Sequence, residues 1–170
     1  MQIDTQLISL VLSIIGIMMA TLAFINSRSK NNLASSQPVF ETTPLRLQAY
    51  ERLVLFAERI SLPQLINRLY QPNYSALEMK QLLIENIRQE FEYNSTQQLY
   101  VSPIAWDAVK NLKEQEILFI NQLFSSLTSN ENAANFTRKI LETEIARPEG
   151  PLFEIVTQTL NREAKKLMSI

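Results

Sequence analysis

Residues 7–25, LISLVLSIIGIMMATLAFI, hold nineteen positions with no charge and no proline. A hydrocarbon core of about 30 Å needs roughly 20 apolar residues at 1.5 Å rise each, and this run supplies that length. Ser9, Ser13, Gly16 and Thr21 are its only weakly polar or small interruptions apart from alanine. The serine and threonine hydroxyls can bond back to the same helix, so a span leaves no polar group stranded. A cleaved signal peptide would need a basic leader and a small-residue cleavage site, but MQIDTQ precedes the run with Asp4 and no Lys or Arg. The expectation is therefore an uncleaved single-pass anchor over residues 1–26.

Orientation is set by the flanks. Arg28 and Lys30 lie just after the run and no basic side chain precedes it. The positive-inside rule then leaves the N-terminus outside and the remainder cytoplasmic, in a bacterial inner membrane. Within the run, Ser9, Ser13, Gly16, Ala20 and Ala23 are spaced four, three, four and three residues apart, which aligns them on one helix face. Small residues in such a stripe let two membrane helices approach closely, so the stripe is a candidate contact with a second copy or another subunit.

The chain beyond the span is formally neutral. All sixteen Lys and Arg lie after it, as do sixteen of the seventeen Asp and Glu. Nucleic acid is not expected as a partner, because phosphate binding needs a basic surplus. The chain lacks cysteine and histidine, which removes disulfides, thiolate zinc sites, the commonest general base and every His-containing triad. Only Gly16 and Gly150 are glycine, so no glycine-rich phosphate loop can be built. These absences argue against an enzyme, and no cofactor or metal is expected; a small-molecule ligand is not indicated.

Residues 27–43 are polar, carry Pro38 and read as a juxtamembrane linker. Residues 44–170 read as one helical domain, long enough for a single core. Thr43-Pro44 and Ser102-Pro103 pair a hydroxyl cap with a proline at a helix start, and Ser75 with Glu78 forms a capping-box pattern. Apolar spacing predicts helices over 44–60, 61–70, 75–93 and 103–127, a fifth that starts within 130–134 and is broken at 147–151, and a last over 151–168. Residues 94–101 are a connector in which 98–101 could be a short extended piece. The expected fold is all-α, one transmembrane helix followed by a cytoplasmic bundle of about six helices.

In the first soluble helix Leu47, Tyr50, Leu53, Val54, Phe56, Ala57 and Ile60 form the inward stripe. Leu55 falls outside it, among Glu51, Arg52, Glu58 and Arg59. That cluster is either a docking surface for a partner or a solvated face of mutually paired charges. The run LQAYERLVLFAERI, residues 47–60, together with the helix start at 103–106, resembles an uncharacterised family of small single-pass membrane proteins from Bacteroidota. The resemblance implies the layout of span, linker and helical domain, and no activity or catalytic residue.

Other groups have a bland reading beside a functional one. Glu116 lies on the apolar stripe of the helix beginning at Pro103, either as a buried acid or reaching water and Lys113. Arg162, Lys165 and Lys166 could meet anionic lipid or simply complement a helix C-terminus. Tyr50, Phe56, Phe91, Trp106, Phe119 and Phe124 could line a ligand cavity. Asn73, Asn94 and Asn135 begin glycosylation-type triplets at a frequency chance explains. The functional expectation is a non-enzymatic membrane-anchored adaptor or accessory subunit of an inner-membrane complex, engaging a protein partner or itself through the span. The alternative is a tethered small-molecule or lipid-binding helical domain.

Overall fold

A computed structural model describes residues 16–17, 19–21, 42–128 and 131–168. The chain divides into two units, Met1–Glu41 and Thr42–Ile170. In the first unit the described residues, Gly16, Ile17, Met19, Ala20 and Thr21, are helical and exposed. The rest of the expected span, with Ser9, Ser13 and Ala23, lies outside the described residues. Among those described, no helix is long and apolar enough to cross a membrane.

The second unit is all-α, with six α-helices among its described residues: α1 (Thr43–Ile60), α2 (Leu62–Leu69), α3 (Ala76–Asn94), α4 (Pro103–Ser125), α5 (Ala133–Ile145) and α6 (Leu152–Met168). A 3-10 helix, Ser95–Leu99, joins α3 to the turn before α4, in place of the extended piece expected over 98–101. The reason is local. Asn94 closes α3 by donating from Nδ2 to the Glu90 carbonyl, and the chain keeps turning into tighter 3-10 bonds.

Most helix starts follow their capping residues. Ser75 and Glu78 make both halves of the capping box, the Ser75 hydroxyl accepting from the Glu78 N–H and the Glu78 carboxylate accepting from the Ser75 N–H. Ser102 accepts from the Ala105 N–H at 3.1 Å, and Asn132 from the Asn135 N–H at 2.9 Å. The start of α1 differs from expectation. Thr42, not Thr43, is the flanking residue, and its hydroxyl makes no cap bond, so Pro44 alone marks that start.

The starts of α3 and α5 are clipped together. The Ala76 N–H donates to the Glu131 carbonyl and the Ala133 N–H donates to the Tyr74 carbonyl, each at 3.0 Å. These two residues open their helices, so their N–H groups have no partner inside the helix. The clip gives them one.

The core gathers Tyr50, Leu53, Phe56, Ala57 and Ile60 from α1, Met79, Leu83 and Ile87 from α3, Ala105, Val109, Leu112 and Ile120 from α4, Phe136 and Ile140 from α5, and Leu160 from α6. Helix α1 packs on α6 and α3, α4 packs on α3 and α6, and α5 packs on α2, α3 and α4. Leu77 and Ile145, although apolar, face water. Leu77 is 47 % exposed because Ala76 and Met79 take the inward register of α3, and Ile145 is 84 % exposed because Glu144 takes that of α5.

Candidate functional site

The inward register of α1 fixes what its outer face offers. With Leu53, Phe56 and Ala57 buried, Leu55 is turned away from the core and stays 61 % exposed. Glu51 and Glu58 are exposed one helical turn either side of it, and Arg52 and Arg59 flank the row.

The arginines reach α3 and not the glutamates of their own helix. Arg59 donates from Nε to Glu90 Oε1 at 2.9 Å, and its Nη2 also donates to that oxygen. Arg68, from α2, donates to the same Glu90 oxygen at 3.2 Å and to the Arg59 carbonyl at 3.2 Å. Hydrogen bonding from Arg59 holds the Glu90 carboxyl below the usual carboxylate range, against partial burial that pushes the other way. The Arg52 guanidinium stands 5.3 Å from the Tyr93 ring centroid. The expected face of mutually paired charges is thus corrected: the pairing runs between helices.

Two grooves border this ridge. One, of about 500 Å3, runs between α1 and α3 and has Arg52, Leu55, Arg59, Glu90 and Tyr93 in its walls. The other, of about 530 Å3, runs between α1 and α6 and is walled largely by Leu47, Val54, Leu55, Ala164 and Met168. Leu55 belongs to both. A partner helix laid here would bury an apolar side chain centrally and meet charge on one side, the arrangement of helix-in-groove recognition.

A second feature lies inside the bundle. Glu116 on α4 is 0 % exposed and Glu144 on α5 is 2 % exposed. None of their four carboxyl oxygens has a hydrogen-bond partner. Arg147, in the turn after α5, brings Nε to 3.1 Å from Glu144 Oε2, off the line a hydrogen bond needs. The same guanidinium lies 4.0 Å from the Phe119 ring centroid. Burial first, then the Glu144 charge, pushes the Glu116 carboxyl up to about 8, with Arg147 opposing. Burial also raises Glu144, again against Arg147.

Glu116 therefore does not reach water or Lys113. Lys113 pairs with Glu114 at 2.7 Å and lies 4.3 Å from the Phe91 ring centroid. Sequence reasoning misses Glu144 and Arg147, although a signal exists. Glu144 continues the Phe136, Ile140 stripe at a spacing of four, and Arg147 comes three residues later.

The remaining candidates are scattered. In the small-residue stripe, a side-chain carbon added at Gly16 would meet nothing within 4 Å among the described residues, and Ala20 is exposed. The aromatic residues do not line one cavity. Phe56 meets Phe91 edge-on, Phe91 stacks on Trp106 at 5.3 Å, and Phe124 meets Phe136. Tyr50 accepts the Ser102 N–H through its hydroxyl at 3.1 Å, and Phe119 belongs with Arg147. Arg162, Lys165 and Lys166 are exposed on α6, where Lys166 pairs with Glu163 at 2.7 Å. Among the described residues no three acidic, histidine or cysteine side chains gather as metal ligands.

Residues 2–167 match a family of unknown function. No curated protein and no solved structure matches the chain.

Proposed function

This chain belongs to DUF7935, a family of unknown function, and on that premise we propose that it is a non-enzymatic, membrane-anchored adaptor or accessory subunit of an inner-membrane complex. We read the family as one of small single-pass membrane proteins of Bacteroidota. Residues 7–25 are its anchor, with the N-terminus outside and the helical unit cytoplasmic. Its two working surfaces are the Ser9, Ser13, Gly16, Ala20 and Ala23 stripe and the outer face of α1.

The observation that carries this reading is the Leu55 ridge. A leucine 61 % exposed between two grooves, with Arg52 and Arg59 alongside, offers an apolar anchor inside a polar rim. The buried acids Glu116 and Glu144 line neither groove.

The test is affinity capture of the full chain from native membranes in mild detergent. Wild type is expected to recover one partner at fixed stoichiometry, and Leu55→Asp to lose it. Leu55 is exposed, so the substitution should shift folding stability by no more than about 0.5 kcal/mol. Loss with Gly16→Leu and Ala20→Leu instead would place the contact in the span. A partner recovered equally with all variants, or no partner at all, would overturn the reading.

One observation favours a second reading, a tethered lipid- or small-molecule-binding domain. The α1–α6 groove is largely apolar and of a volume that holds a small ligand. Native mass spectrometry of the detergent-extracted chain separates the two: a bound mass lost on Val54→Asp favours the ligand, and none favours the adaptor.

A further inference from the structure

Where α4 meets α5 the protein buries two carboxyl groups beside one positive charge. Glu116 and Glu144 are inaccessible, their four oxygens have no donor, and Arg147 is the cation beside them. With both acids ionised the cluster is one positive charge short. It is also short of hydrogen-bond donors, and a buried carboxylate without them is costly. A proton on Glu116 meets the first need and brings one O–H donor to a site with four unpaired oxygens.

We propose that the Glu116–Glu144 cluster is a binding site for an alkylammonium group, which exchanges for the proton that otherwise neutralises it. A primary ammonium brings one positive charge and three N–H donors on a compact head, and so supplies both what the charge count and what the unpaired oxygens lack. In the exchange the Glu116 proton leaves to solvent and the ammonium keeps its own, so charge is conserved. A divalent metal fits less well, because only two carboxyl groups are present and a guanidinium stands against one of them. A quaternary ammonium has no N–H to donate.

The surroundings suit the rest of such a molecule. A cleft of about 430 Å3 has Arg147 and Phe119 in its wall, with Leu118, Leu152 and Ile155 as apolar lining and Gln122 and Glu149 as polar lining. Leu118 and Ile155 are 47 % and 45 % exposed, open to an alkyl chain. Neither acid lines this cleft; Arg147 belongs to both, lining the cleft and standing 3.1 Å from Glu144. Arg147 is itself part-exposed and lies at the start of a turn that ends at Gly150, whose φ of 76° suits glycine. The link between cleft and acids is thus the Arg147 guanidinium, which lies over the Phe119 ring.

The proposal involves no residue of the Leu55 ridge and stands or falls apart from it. The charges acting on Glu116 are Glu144 from α5 and Arg147 from the turn after it, while Lys113 on α4 itself is taken up by Glu114. Binding should therefore tighten as pH rises and the competing proton is lost.

The test uses the full chain in detergent with cadaverine as probe, and with an N-acetyl-lysine amide to stand for a protein-borne ammonium. At pH 7 about 10 mM cadaverine should raise the Tm by at least about 3 °C, as preferential binding to the folded state requires. Titration calorimetry in buffers of different ionisation heat should register proton release. Glu116→Gln, close in shape to the protonated acid, and Glu144→Gln should each abolish the shift. A stronger response to the lysine amide would assign the site to a protein partner's lysine, and a stronger response to cadaverine to a free polyamine. No shift with either probe, an equal shift with potassium chloride at matched ionic strength, or a shift that survives Glu116→Gln would overturn the proposal.

Discussion

Glu116, inaccessible and without a donor, is the neutral acid at pH 7, its ionisation pushed up to about 8 from the 4.5 of a free side chain. The linkage has a definite sign. Below pH 4.5 folded and unfolded chains both hold the proton, and the group adds no pH-dependent cost. Between 4.5 and 8 the unfolded chain gives it up and the folded chain does not, so stability falls with rising pH and levels off above 8. At 1.36 kcal/mol per pH unit the loss amounts to as much as roughly 5 kcal/mol. The direction at Glu144 is the same. Glu116→Gln has no proton to lose, so its Tm should match wild type near pH 4.5 and exceed it by several degrees at pH 8. Parallel Tm profiles for the two proteins across that range would contradict this account. The stripe Ala105, Val109, Leu112, Glu116, Ile120 is legible in the sequence, but it leaves open whether Glu116 is buried or reaches water at the stripe's edge. Its company is not legible, because Glu144 is brought there by a different helix.

Helix boundaries are the most legible element of the fold, because a cap is a local matter of one hydroxyl or amide and the next three residues. Ser75 with Glu78 and Ser102 with Pro103 start their helices as the sequence pattern implies. Thr43-Pro44 places α1 while misassigning its flanking residue, since proline fixes the backbone whichever threonine precedes it. The segment 98–101 misleads because its Leu-Tyr-Val run favours strand intrinsically, yet no neighbouring strand exists among the described residues to pair with it. Asn132 tests the capping argument directly. Its side-chain oxygen accepts from Asn135, so Asn132→Ala should cost about 1 kcal/mol, read as a lower urea midpoint at unchanged slope.

For the helical unit as a whole, what periodicity conveys is how many helices there are and which face of each is apolar. It does not say which faces meet. That the first helix packs on the last, or that α2 reaches Glu90 through Arg68, depends on contacts between residues far apart in the chain. The Leu55 ridge shows the division well. Its place outside the stripe is legible, whereas the grooves beside it exist only because α3 and α6 arrive on either side.

The clip between Tyr74–Ala76 and Glu131–Ala133 has a kinetic consequence. The Ala76 and Ala133 amides belong to no helical ladder, and each finds its acceptor in the other's segment. Their exchange for deuterium cannot report the fraying of α3 or of α5 taken singly. Both should exchange together, at the frequency with which the two helices part, so this pair of amides times the opening of the bundle from within.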